Sequence, residues 1–181
     1  MNQRCWLVLS TAIVLAAVVG ASCGDDGGSS ERGSDATDAV TDGATVDAPC
    51  DTVGELVDLS EIADAFSAEL QPAEGIDSGS VCLVQLDVGV VAIGLESHDS
   101  EDDAGIAFDE VRDTVVAVGE EPEELTDVGD EAFLVTGTVT EVYVLDGTDL
   151  ILVGDSGSLD LDADALEDAL VATAGLVADD A

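Results

Sequence analysis

Two sets of side chains in this sequence are of the types that do chemistry, and four cysteines add a third. Ser156 stands in Gly154-Asp155-Ser156-Gly157, with His98 and several aspartates earlier in the chain. A serine nucleophile needs a histidine within hydrogen-bond reach and a carboxylate to orient that histidine, so these residue types suit acyl transfer. Asp160, Asp162 and Asp164 alternate along the chain. A calcium loop begins this way, because the ion wants several hard oxygens converging on it. The cysteines are Cys5, Cys23, Cys50 and Cys82.

Neither of the first two sets is complete. The Ser156 segment resembles the short motif around the nucleophile of chymotrypsin-like serine proteases. The foldable part of the chain is too short for the two β-barrels of that family, and Ser97-His98-Asp99 lacks the family's flanking residues. The plainer reading is a Gly/Ser turn after a strand, with a solvated histidine at another strand's end. The aspartate series fails at Ala165, where a calcium loop needs glycine, and at Val171, where it needs a bidentate glutamate. Aspartates at a helix start complement the helix dipole, which also accounts for Asp99, Glu101, Asp102 and Asp103. One histidine and no His/Cys cluster argue against zinc. No glycine-rich loop follows a strand and opens a helix, so a phosphate cradle is not expected either. The expectation is no catalytic set, no metal ligands and no cofactor.

The amino terminus carries more information. Arg4 supplies one positive charge, Trp6 to Val19 is apolar except for Ser10 and Thr11, and Gly20, Ala21 and Ser22 lead into Cys23. Charged, apolar and small-residue regions in that order make a secretory signal, and the apolar part is short for a membrane span. Val19-Gly20-Ala21-Ser22-Cys23 resembles the lipobox of bacterial lipoproteins, departing from it at Gly20, where Leu or Val is usual. The resemblance implies cleavage before Cys23, a diacylglyceryl group on its thiol and a chain held on the outer face of the cytoplasmic membrane. More than one acyl chain holds firmly, at about 0.8 kcal/mol per buried methylene.

All 42 Asp and Glu follow Cys23, lysine is absent, and Arg32 and Arg112 are the only cationic side chains beyond it. Such a surface repels nucleic acid and anionic lipid headgroups. The charge is spread along the chain, which favours adaptation to high salt over a gathered cation-binding surface.

Gly24 to Pro49 is rich in Gly, Ser, Asp, Thr and Ala, with Val40 and Val46 its only bulky apolar residues. It cannot bury enough surface to fold, and as a coil it reaches roughly 25–30 Å. The expected organisation is signal peptide 1–22, lipidated cysteine and linker 23–49, and one domain 50–181. Within the domain, Asp58 starts a helix with Glu61 as capping-box partner and Leu59, Ile62, Phe66 and Leu70 on one face. Strands are expected at Ser80–Leu86 and Val90–Glu96. A helix after Ser100 carries Phe108, Val111, Val115 and Val118, and ends at Gly119 and Pro122. Strands at Ala132–Thr136, Glu141–Leu145 and Leu150–Gly154 follow, then a helix over 162–177. Tight turns, Asp146-Gly147 among them, imply antiparallel neighbours. The fold class is therefore α+β, a five-stranded antiparallel sheet with three helices in the order α-β-β-α-β-β-β-α.

Cys5 leaves with the signal and Cys23 carries lipid, so Cys50 and Cys82 remain in an oxidising compartment. A disulfide between them is expected; two separate buried thiols is the alternative. Cys50-Asp51, the helix Leu59-Ser60-Glu61-Ile62-Ala63-Asp64-Ala65-Phe66, a cysteine in the next strand, and Val128-Gly129-Asp130-Glu131-Ala132-Phe133 resemble the small secreted lipoproteins of actinobacteria. The resemblance spans 23–178 and implies a one-disulfide α+β module of the cell surface. The functional expectation is a non-enzymatic binding module for an envelope protein, a wall polymer or a small ligand. The alternatives are a hydrolase using Ser156 with His98, and an acidic surface for divalent cations.

Overall fold

The computed structural model describes residues 44–45 and 49–179. Its strands follow from side-chain alternation: Cys82, Val84 and Leu86 are buried while Val81, Leu83 and Gln85 between them are only partly so. That period of two sends alternate side chains to opposite faces of a sheet. In chain order the elements are β1 (Ala44–Thr45), α1 (Pro49–Leu56), α2 (Leu59–Ala65), β2 (Leu70–Ser78), β3 (Val81–Leu86), β4 (Gly89–Ser97) and α3 (Glu101–Ala117). There follow β5 (Glu123–Leu125), β6 (Glu131–Thr136), β7 (Thr140–Asp146), β8 (Asp149–Asp155) and α4 (Ala163–Ala178).

All the strands join one antiparallel sheet in the order β2-β3-β4-β8-β7-β6-β5. Two meanders, β2 to β4 and β5 to β8, thus meet along a single seam, where Val91–Ser97 pairs with Asp149–Asp155. β1 completes the ladder by pairing with Glu96 and Ser97, beyond the point where β3 begins. Gly89 opens β4 at φ 141°, and a β-carbon there would lie 2.5 Å from the Ser158 carbonyl oxygen. Only glycine lets the β3–β4 turn approach the chain that leaves β8.

The two faces of the sheet are covered unequally. On one, α1, α2 and α4 bury Val53, Ile62, Phe66, Leu170 and Val177 against Val84, Ile93, Val142 and Ile151. On the other, α3 is the one helix among the described residues, and it lays Ala104, Phe108 and Val115 on Phe133, Val135, Leu145 and Leu150. Helix starts are capped as local chemistry requires. Ser100 Oγ accepts from the Asp103 N–H and donates to the Asp103 carboxylate, and Asp162 accepts from the Ala165 N–H.

The α+β antiparallel class agrees with expectation, but the element count needs correction. Cys50 lies inside a helix, α1, not ahead of the first one. β2 occupies the stretch between the first expected helix and the first expected strand, where Pro72 and Gly75 stand. Proline is tolerated on a sheet edge, and the β2–β3 register shifts between Leu70 and Gly75. Leu70 therefore belongs to a strand, not to the α2 face. β5 is a further short edge strand, and β1 together with Pro49 draws the end of the expected linker into the fold. Asp58 does cap α2, but its carboxylate accepts from the Ser60 N–H and hydroxyl, with no part for Glu61. Those two hydrogen bonds, backbone first, hold the Asp58 carboxyl below its ordinary range.

Cys50 and Cys82 form a disulfide that ties α1 to β3. The expected signal peptide 1–22, the lipidation site Cys23 and most of the linker lie outside the described residues. Among the described residues no helix is long and apolar enough to cross a membrane.

Candidate functional site

Ser156 and His98 are not brought together. Ser156 N–H and Oγ both donate to the carbonyl of Val90, at the start of β4. His98 follows the other end of that strand, its N–H donating to the Thr148 carbonyl. Eight residues of extended chain separate the two points, roughly 26 Å. Asp155 accounts for the Gly-Asp-Ser-Gly segment: its Oδ1 accepts from the N–H groups of Gly157, Ser158 and Leu159. Ser158 Oγ in turn accepts from the Val90 N–H and lies 2.9 Å from Ser156 Oγ. The segment is a carboxylate-centred turn that fastens β8 to β4.

His98 is not solvated, contrary to the sequence reading. Its side chain is 4% exposed, and Nε2 lies 3.7 Å from the Glu96 carboxylate, too far for a hydrogen bond. Asp160 and Asp164 flank the Asp162 cap at the start of α4. Among the described residues no three His, Cys, Asp or Glu side chains converge as metal ligands.

Carboxylates do crowd at the β7–β8 turn. Burial, then the charges of Asp130, Asp149 and Asp179, raises the Asp146 carboxyl above its ordinary range. A carboxyl raised by folding contributes stability at low pH and loses it as pH climbs through the folded value. Asp146→Asn should therefore melt above the parent at neutral pH. The gap should narrow as pH falls toward about 4, where an ordinary aspartate protonates. It should also shrink in molar salt, which screens Asp130, Asp149 and Asp179. Melting curves across pH and salt check this; a gap independent of pH would refute it.

A partly apolar surface lies on the half of the α3-side face that α3 does not reach. Cross-strand pairing places Ile76, Leu83 and Ala92 in one row and Val81, Gly94 and Leu152 in the next. Val81 and Leu152 flank Gly94: a β-carbon there would lie 3.9 Å from Val81 Cγ2 and 3.5 Å from Leu152 Cβ. Ile76 is 43% exposed, and Val81, Leu83 and Leu152 are half-buried. Among the described residues no helix lies over them.

Toward α3 the rows continue into Glu141 and Tyr143 of β7. Tyr143 donates its hydroxyl proton to Glu141 Oε2 at 2.8 Å and stacks on Phe133. Burial, followed by the charge of Glu141, pushes the phenol well above its ordinary range, so it stays a neutral donor. Arg112 on α3 is paired with Glu124 and lies over the Phe133 ring.

Sequence reasoning did not single out this face, although a signal existed. Val90-Val91-Ala92-Ile93 and Leu150-Ile151-Leu152-Val153 are apolar at both parities, whereas a strand with one solvated face alternates. In β8 the second parity is explained in part by α3; in β3 and β4 it is not. Compared with known proteins, the chain matches no family model, no curated protein and no solved structure.

Proposed function

We propose that the protein is a lipid-anchored, non-enzymatic binding module on the extracytoplasmic face of a bacterial cell membrane. Its working surface is the open half of the sheet. One observation carries the binding role: Val81, Leu83 and Leu152 form an apolar strip on central strands with no described helix above it. Apolar side chains grouped on a solvent-facing sheet favour a partner that removes them from water. Supporting the address are the apolar leader, the small residues before Cys23 and the low-complexity tether. The acidic surface suits solubility in high salt.

Two measurements on cells test this reading. Mass spectrometry of the mature amino terminus should find Cys23 carrying diacylglyceryl, and Cys23→Ser should release the domain from the membrane fraction. A photoreactive side chain at position 83 should give one discrete adduct in the intact envelope, while one at the exposed position 118 should not. A bare or uncleaved terminus refutes the anchor, and no adduct at position 83 refutes the binding surface.

A further inference from the structure

We infer that the open half of the sheet docks a polypeptide segment that is both apolar and cationic. This deepens the binding-module reading and rests on it. The strip formed by Val81, Leu83 and Leu152 runs across three strands, a width of about 10 Å, comparable to one face of a helix or a pair of strands.

Charge selects among the occupants. Away from β5 and β6, two carboxylates stand on this face: Glu96 at the far end of β4, its side chain 40% exposed, and Glu141 beside Gly154. Glu141 already accepts from Tyr143 through Oε2, and a β-carbon on Gly154 would lie 3.8 Å from its Oε1. Lysine is absent from the chain, and Arg112, the one arginine among the described residues, is committed to Glu124 on the half that α3 covers. His98 lies beside Glu96, its Nε2 3.7 Å from that carboxylate. The strip is therefore apolar at its centre and negative at its margin.

A second copy of the chain would bring its own net charge of −39 against the same field. Anionic headgroups meet the same repulsion. Leucine-like side chains spaced among lysines or arginines fit both parts, and a polypeptide supplies both at residue spacing.

The test uses the full-length chain and labelled synthetic peptides, read by fluorescence anisotropy at low and molar salt. A Leu/Lys peptide should bind saturably with one site, and Leu83→Asp and Leu152→Asp should each weaken it at least about tenfold. Glu96→Gln, which leaves the strip intact, should weaken binding at low salt and have no effect in molar salt. Leu83→Gln, with an unchanged melting curve, guards against a variant that has merely unfolded.

Three results overturn the inference. Equal binding of a Leu/Gln peptide removes the charge argument while leaving the docking surface standing. Equal binding of a Lys/Ser peptide shows general attraction to an acidic protein. Binding of phosphatidylcholine vesicles through Leu83, with the Leu/Lys peptide unable to compete, assigns the face to lipid.

Discussion

Removing the Cys50–Cys82 disulfide, by Cys50→Ser with Cys82→Ala, is expected to lower stability by about 3–4 kcal/mol, the chain-entropy value for a loop of this length. The two cysteines are 32 residues apart, and the loop they close holds α1, α2 and the edge strand β2. None of these sits at the centre of the sheet. α1 is eight residues long, too short to persist by itself, and β2 pairs on one side only. Denaturant titration of the variant should show a lower midpoint. Hydrogen exchange should show α1 and β2 opening first, while β4, β7 and β8 stay protected.

Gly75 gives an internal control. A β-carbon there would lie 2.9 Å from Cys50 Sγ, so β2 passes the sulfur bridge closely enough to need glycine. Gly75→Ala should destabilise the parent and cost measurably less once Cys50 is alanine. Equal cost in both backgrounds would show that the glycine serves the strand alone. A disulfide-free variant as stable as the parent would show that packing already holds α1 in place.

What could be read from the sequence divides along the geometry of the sheet. The five expected strands are β3, β4, β6, β7 and β8, which are the five central ones. Central strands are buried enough to show unbroken apolar runs of four residues, so Val81–Val84 and Leu150–Val153 stand out. Edge strands need no such run. β2 contains Pro72 and Gly75, and β5 is Glu123-Glu124-Leu125; both look like loops until a neighbour supplies their hydrogen bonds. α1 was hidden for a related reason: Pro49 suits a first helical turn, but Gly54 lies mid-helix, and tertiary contact of Val53 with the core overrides that weak propensity.

The disulfide was legible by elimination, because the chain offers few thiols. The candidate binding face was not. Its residues are assembled from β2, β3, β4 and β8, and only the strand order shows that α3 stops short of them. Motif reading pointed instead to Gly154-Asp155-Ser156-Gly157, whose polar atoms are spent on the turn itself. Short polar motifs in a chain rich in Asp, Gly and Ser mostly report such turns, since these side chains bond their own backbone readily.

The second large effect is expected at Phe133. Its side chain is fully buried on β6 and is the piece on which α3 rests. Phe108 of α3 tilts against it at 5.2 Å between ring centres, Tyr143 stacks on it at 4.9 Å, and the Arg112 guanidinium lies 5.6 Å above it. Phe133→Ala removes all three contacts and leaves a void that its neighbours, fixed on strands and a helix, cannot fill. The cost should be about 3–5 kcal/mol, or roughly 10–20 °C in melting temperature for a domain of this size. The damage should be one-sided. α1, α2 and α4 pack on the opposite face, in the core cluster to which β6 contributes Ala132 and Leu134, so their amides should keep most of their protection while those of α3 lose it. Tyr143 should then become easier to ionise, because the burial that raises its phenol depends on the same lid. Ultraviolet titration reads that change directly. An unchanged phenol in a destabilised variant would mean that Glu141, not burial, governs Tyr143. It would also mean that α3 holds its place without the ring beneath it. A loosened α3 also widens the open half of the sheet, so this variant should expose more apolar surface to a hydrophobic dye than Leu83→Gln, which leaves the lid seated.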